Sequence, residues 1–102
     1  MSKQRRSFSP DFKQQAACLV LDQGYSYIEA SRSVGVGESV LRRWTQQLQM
    51  ERQGVTPQGK AITVDQQRIQ ELEARIERLE REKAILKKAT ALLMSEGIER
   101  TR

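Results

Sequence analysis

Apolar residues recur at spacings of three and four in several stretches of the chain, the period of helices with one buried face. In the first stretch Phe12, Ala16, Leu19 and Val20 share a face. It opens at Ser9-Pro10-Asp11: a hydroxyl cap, a proline in the first turn and a carboxylate at the positive end of the helix dipole. Phe8, just ahead of the cap, is placed to staple onto Phe12, and Gly24 closes the element. A second helix starts at Ser26, with Glu29 at capping-box spacing. It runs through Ile28, Ala30 and Val34 to Gly35, a left-handed terminator. At about two turns it persists only if packed against neighbours. The turn Gly35-Val36-Gly37 leads to a third helix from Glu38 to about Arg52. Val40, Leu41, Trp44 and Leu48 form its apolar stripe, with Ser39, Arg42, Gln46 and Gln49 on the other side.

Residues 53–64 hold two glycines and a proline and lack helical periodicity, so they read as a linker. From Asp65 to about Met94 neither glycine nor proline occurs, and one continuous helix is expected. With Ile69 at heptad position a, that position holds Ile69, Ile76, Lys83 and Thr90, while d holds Leu72, Leu79, Leu86 and Leu93. β-branched residues at a with leucine at d favour parallel two-stranded coils. Lys83 can lay its stem along the seam and keep its ammonium in water. In a parallel dimer, g positions face the e positions of the next heptad in the partner. Arg68 then meets Glu73, Arg75 meets Glu80 and Glu82 meets Lys87, all opposite in sign. Each exposed pair contributes only roughly 0.2–1 kcal/mol, so the set selects register and a like partner more than it adds stability.

The expected fold is therefore all-α: a three-helix helix-turn-helix head with a basic arm at 1–52, a flexible linker at 53–64, a long parallel coiled-coil (leucine zipper) helix at 65–95, and a frayed tail at 96–102. The competing arrangement is a single amphipathic helix folded back on the head; the narrow apolar stripe, flanked by charge on both sides, weighs against it. Towards the end Ala84, Ile85, Ala89 and Leu92 widen the apolar surface beyond the seam, as a second contact surface or a continuing bundle would require.

Composition sharpens this picture. The chain of 102 residues is 37% hydrophobic, 5% aromatic and 30% charged, thin material for a globular core. The net charge is +5, with eight basic and five acidic side chains in residues 1–53 against nine and eight in 65–102. The basic excess favours a polyanionic partner for the first half. Cys18 is the sole cysteine and histidine is absent, so neither an intrachain disulfide nor a thiolate metal cluster is available. Cys18 reads as a small apolar side chain beside the core. There is no apolar run of membrane-span length and no signal-like N-terminus, and a soluble, cytoplasmic protein with no membrane partner is expected.

Helix, tight glycine turn, helix is the geometry that lays a second helix in the major groove of double-stranded DNA. The residues expected to face bases are Ser39, Arg42 and Gln46, because arginine pairs with guanine and glutamine with adenine in bidentate fashion. Arg43 and Gln47 flank that face as phosphate contacts. Arg5 and Arg6 of the arm are candidates for an adjoining minor groove or the backbone, with Arg32 and Lys13 as weaker phosphate candidates. Trp44 lies on the buried stripe and reads as core rather than as a base-stacking group. Gly37 stands where a serine or threonine cap is common, leaving the third helix without a side-chain cap. The competing reading of the head is a protein-interaction domain with a merely solvated polar face.

Several segments, RRSFSPDFK, VGVGESVLRRW, ERQGVTP and LEREKAILKKATALLMSE, resemble the upstream-frame (OrfA-type) proteins of bacterial two-frame insertion sequences, over nearly the whole chain. The resemblance implies a second, overlapping frame encoding a DDE integrase-type catalytic domain, fused to the first by programmed frameshifting. It implies that the head binds the element's terminal inverted repeats and influences its own promoter. It also implies that the zipper pairs this chain with itself or with the frameshifted full-length transposase. Arg43-Trp44 match the end of the family's head motif, and Leu72, Leu79, Leu86 and Leu93 its zipper.

No strand pattern and no trio of gathered carboxylates marks a DDE site, so catalytic residues, metal ligands and cofactors are all expected to be none. Three readings remain: a non-catalytic, DNA-binding subunit and regulator of transposition; a free-standing dimeric helix-turn-helix transcriptional repressor; and a coiled-coil assembly protein with an incidental trihelical head.

Overall fold

In the computed structural model, residues 6–100 are described, the side chains only as far as Gly97. Arg5 and the final two positions lie outside the described residues. Among those described there are four helices and no strand: α1 (Pro10–Leu21), α2 (Tyr27–Val34), α3 (Glu38–Arg52) and α4 (Val64–Arg100). Two units meet between Gln70 and Glu71.

The first unit is the trihelical head. Ser9 Oγ accepts the Phe12 N–H at 3.1 Å and Ser26 Oγ accepts the Glu29 N–H at 3.2 Å, so both helices begin at the hydroxyls the sequence supplies. Gly35 adopts φ 72°, ψ 32°, and its N–H reaches back to the Ser31 carbonyl, ending α2 as a left-handed cap. α3 starts at Gly37 without a side-chain cap. Ala16, Ala17, Ala30, Leu41, Trp44 and Leu48 are buried together, and Ile62 joins them from beyond α3. Small alanines on α1 and α2 let these helices approach α3, whose larger side chains fill the space. Phe8 stacks on Phe12 with centroids 5.2 Å apart, and both meet the Trp44 ring edge-on at 5.0 and 6.0 Å. Trp44 is 7% exposed, a core residue.

Residues 53–63 contain no helix or strand, as a linker would, yet they are held in place. Ala61 and Ile62 are buried, and Glu51, at the end of α3, is buried beneath them at 4% exposure. Its carboxylate accepts the Ile62 N–H at 3.0 and 2.9 Å, the Thr63 N–H at 2.8 Å and the Thr63 hydroxyl at 2.9 Å. Gln47 donates to the same carboxylate at 2.7 Å and to the Lys60 carbonyl at 3.0 Å. The first turns of α4 complete the clasp. Gln70 accepts the Ala61 N–H at 3.0 Å and donates to the Pro57 and Gly59 carbonyls at 3.1 and 2.7 Å. Gln67 donates to the Ala61 and Ile62 carbonyls, and the Thr56 hydroxyl donates to buried Gln66 at 2.7 Å. The segment expected to be flexible is a polar-sewn flap on the head.

The second unit is the remainder of α4. The helix runs to Arg100, into the segment 96–102 read from the sequence as a tail, and its 37 residues span about 55 Å. Every side chain from Glu71 to Gly97 is exposed in the single chain.

Candidate nucleic-acid interface

α3 presents two contrasting sides because its sequence alternates apolar and polar groups at helical spacing. Leu41, Trp44, Thr45, Leu48 and Glu51 are buried. Thr45 is reconciled to burial by donating its hydroxyl to the Leu41 carbonyl at 2.8 Å. Ser39, Arg42, Arg43 and Gln46 are exposed on the opposite side, so the structure brings together four of the expected DNA contacts. Met50, 48% exposed, extends the same row.

These side chains are not equally free. Arg42 donates to Glu38 at 2.8 Å, one turn earlier, and its guanidinium carbon lies 4.3 Å from the centroid of the Tyr27 ring. Arg43 is exposed and makes no ion pair among the described residues. Gln47 is half-buried, with its amide directed to Glu51 and the Lys60 carbonyl rather than outward. Arg6 donates to the Gly35 carbonyl at 2.7 Å and stacks 4.9 Å from the Phe8 centroid, which ties this residue to the turn ahead of α3. Lys13 sits 6.0 Å from the Trp44 centroid, and Arg32 is exposed in the last turn of α2.

Two carboxylates shape the C-terminal end of α3. Burial alone would push the Glu51 carboxyl up, but hydrogen bonds from Thr63, Ile62 and Gln47 outweigh it and hold the group below the ordinary glutamate range. At the α1 terminus Arg52 grips Asp22 through two bonds, 2.8 and 2.7 Å, and these hydrogen bonds lower Asp22 to about 2. Arg52 also reaches Cys18 Sγ at 3.4 Å. Burial, followed by the neighbouring Asp22, still pushes the Cys18 thiol up, away from a reactive thiolate.

The heptad positions Ile69, Leu72, Ile76, Leu79, Leu86 and Leu93 form an uncovered apolar stripe, from 37% exposed at Ile69 to 71% at Leu93, with Lys83 and Thr90 also exposed. Val64, Ile85, Leu92 and Met94 are exposed apolar groups as well. Among the described residues no group of three His, Cys, Asp or Glu side chains gathers as a metal site, and no helix is long and apolar enough to cross a membrane.

Reading the sequence alone missed Glu51, Gln66, Gln70 and Lys60 as parts of the head's architecture, and Tyr27 as the ring under Arg42. One signal was present: Thr63 and Gln66 have capping-box spacing, and the Gln66 N–H does bond Thr63 Oγ1 at 3.2 Å.

Comparison with known proteins places this architecture. The family model HTH_Tnp_1, described as Transposase, matches residues 2–84. A protein of Escherichia coli K12 assigned as transposase InsN for insertion sequence element IS911A is 46% identical over 86 residues, spanning 84% of this chain and 64% of that one. Its counterpart for element IS911B is 43% identical over 84 residues, spanning 82% of this chain and 96% of the relative. No solved structure matches. The exposed polar row of α3, the left-handed turn before it and the sequence match over most of the length agree: the chain belongs to the helix-turn-helix transposase family.

Proposed function

We propose that this chain is a non-catalytic DNA-binding component of insertion-sequence transposition, which recognises the element's terminal inverted repeats through α3 and pairs in parallel through α4. The observation that carries it is the exposed row Ser39, Arg42, Arg43 and Gln46 on a helix whose other side is the core of a trihelical head. Side chains of these types suit base edges and phosphates, and the tight turn at Gly35 is the device that sets such a helix into a groove. The names of the InsN relatives support insertion-sequence transposition as the setting.

Pairing follows from the uncovered leucine stripe. A helix of this length with Leu72, Leu79, Leu86 and Leu93 in water gains by covering them, and the charges at g and e fit a second copy running in the same direction. A full-length transposase sharing the zipper is the second partner. Two heads on one dimer double the phosphate contacts and match two half-sites.

The test is fluorescence anisotropy of the purified chain with duplexes carrying the element ends and with scrambled duplexes, over a salt series. Preferential, salt-dependent binding to the ends is expected. Equal affinity for both duplexes removes the sequence-specific role, and no binding even at low salt removes the DNA role. Regulation of a host operator, with no preference for element ends, would favour a free-standing repressor.

A further inference from the structure

The flap between α3 and α4 is fastened by more hydrogen bonds than connecting two helices requires, and their arrangement singles out one side chain. From Gly59 to Thr63, the carbonyls of Gly59, Lys60, Ala61 and Ile62 all accept from glutamine side chains of α3 or α4. The N–H groups of Ala61, Ile62 and Thr63 all donate to Gln70 or Glu51. Ala61 and Ile62 point into the head. Lys60 alone in this stretch sends a long cationic side chain outward, and no ion pair among the described residues neutralises it.

Its location is set by Gln47, whose amide nitrogen lies 3.0 Å from the Lys60 carbonyl. Gln47 is one turn on from Arg43 and borders the exposed row of α3. The recognition helix is thus flanked on one side by Tyr27 of α2, under Arg42, and on the other by the flap that carries Lys60. The sequence points to Gln47 as a phosphate contact, but its amide is occupied in holding this flap.

We propose that Lys60 is a DNA-backbone contact: the flap docks it beside α3, where its ammonium meets a phosphate of the strand bordering the groove that α3 enters, and Glu51 and Gln47 are its positioning residues. The inference rests on the DNA-binding reading above. A lysine on an immobilised backbone loses less freedom on binding than one on a loose linker, so the flap's bonds contribute to affinity without touching DNA. Because a phosphate carries no base identity, the contact strengthens binding to all duplexes alike.

The experiment measures affinity against salt for the parent, Lys60→Ala, Lys60→Arg and Lys88→Ala, each with an element-end and a scrambled duplex. Lys88 is an exposed lysine at a heptad f position and controls for the loss of one charge. Lys60→Ala is expected to weaken both duplexes by the same factor, roughly three- to tenfold at low salt, and to flatten the log–log salt slope by about 0.9 per head. Lys60→Arg is expected to restore the slope, and Lys88→Ala to leave it unchanged. If Lys60→Ala matches the parent, alters base preference, or is matched by Lys88→Ala, the assignment is overturned while DNA binding stands. A parent that binds no duplex overturns the underlying reading and this inference together. Because the Lys60 side chain is exposed, all the variants are expected to keep the parent's circular dichroism spectrum.

Discussion

Both oxygens of the Glu51 carboxylate accept the backbone N–H of Ile62, at 3.0 and 2.9 Å, across a separation of eleven residues. This is a helix-end side chain acting as the anchor for the polypeptide that follows it. Its removal exposes what the flap contributes. Glu51→Ala leaves the buried Ile62 N–H and the half-buried Thr63 N–H without acceptors, at on the order of 1–3 kcal/mol for a fully buried donor and less for the other. Urea denaturation is expected to show a loss of that size, and a midpoint within error of the parent would show that the flap is dispensable to the head.

The same carboxylate makes stability pH-dependent. Its folded-state value is held below the ordinary 4.5, so its stabilisation is fully present above about pH 4.5 and is lost as pH falls through the lowered folded value. Asp22 adds a second acid-sensitive contact, between 3.8 and about 2. Asp22→Asn should narrow the difference in melting temperature between pH 5 and pH 2. An unchanged difference would mean that the Asp22–Arg52 bridge contributes nothing in solution.

Arg42 lies between Glu38 and Tyr27, and the proposed base contact would require it to loosen the ion pair with Glu38. Glu38→Gln is expected to tighten binding several-fold, both by freeing the guanidinium and by removing a carboxylate near phosphates. Arg42→Ala is expected to relax preference at one or two base pairs, by about 1–3 kcal/mol of discrimination. Footprints and selected sites identical to those of the parent would show that Arg42 does not read bases.

The uncovered stripe of α4 predicts concentration-dependent mass. Leu79→Pro breaks the helix at a d position while leaving the head's buried set untouched. Sedimentation is expected to show dimers for the parent and monomers for the variant, with near-ultraviolet dichroism of Trp44 retained. Dimers in the variant would place the pairing surface elsewhere.

The head was legible in the sequence because its signals are local. Ser9, Ser26 and Gly35 sit at caps whose chemistry acts within four residues, and the spacing of Leu41, Trp44 and Leu48 marks a buried face directly. Residues 53–63 were not legible for the complementary reason. Their glycines and proline correctly exclude helix, but what orders them is a set of polar side chains from elsewhere in the chain, chiefly Glu51, Gln47, Gln67 and Gln70. A glutamate or glutamine on a helix carries no mark of whether it faces water or holds a neighbouring backbone. Gln47 shows the same ambiguity at the candidate interface: its position on the wheel suits a phosphate contact, while its amide serves the flap.

The bond from Arg6 to the Gly35 carbonyl also has a practical bearing on how the molecule is handled. It fixes Arg6 itself at the bend that delivers α3. If α3 enters a groove as proposed, bulk attached close to Arg6 would crowd the duplex, and handling sequences are better joined at the opposite end of the polypeptide.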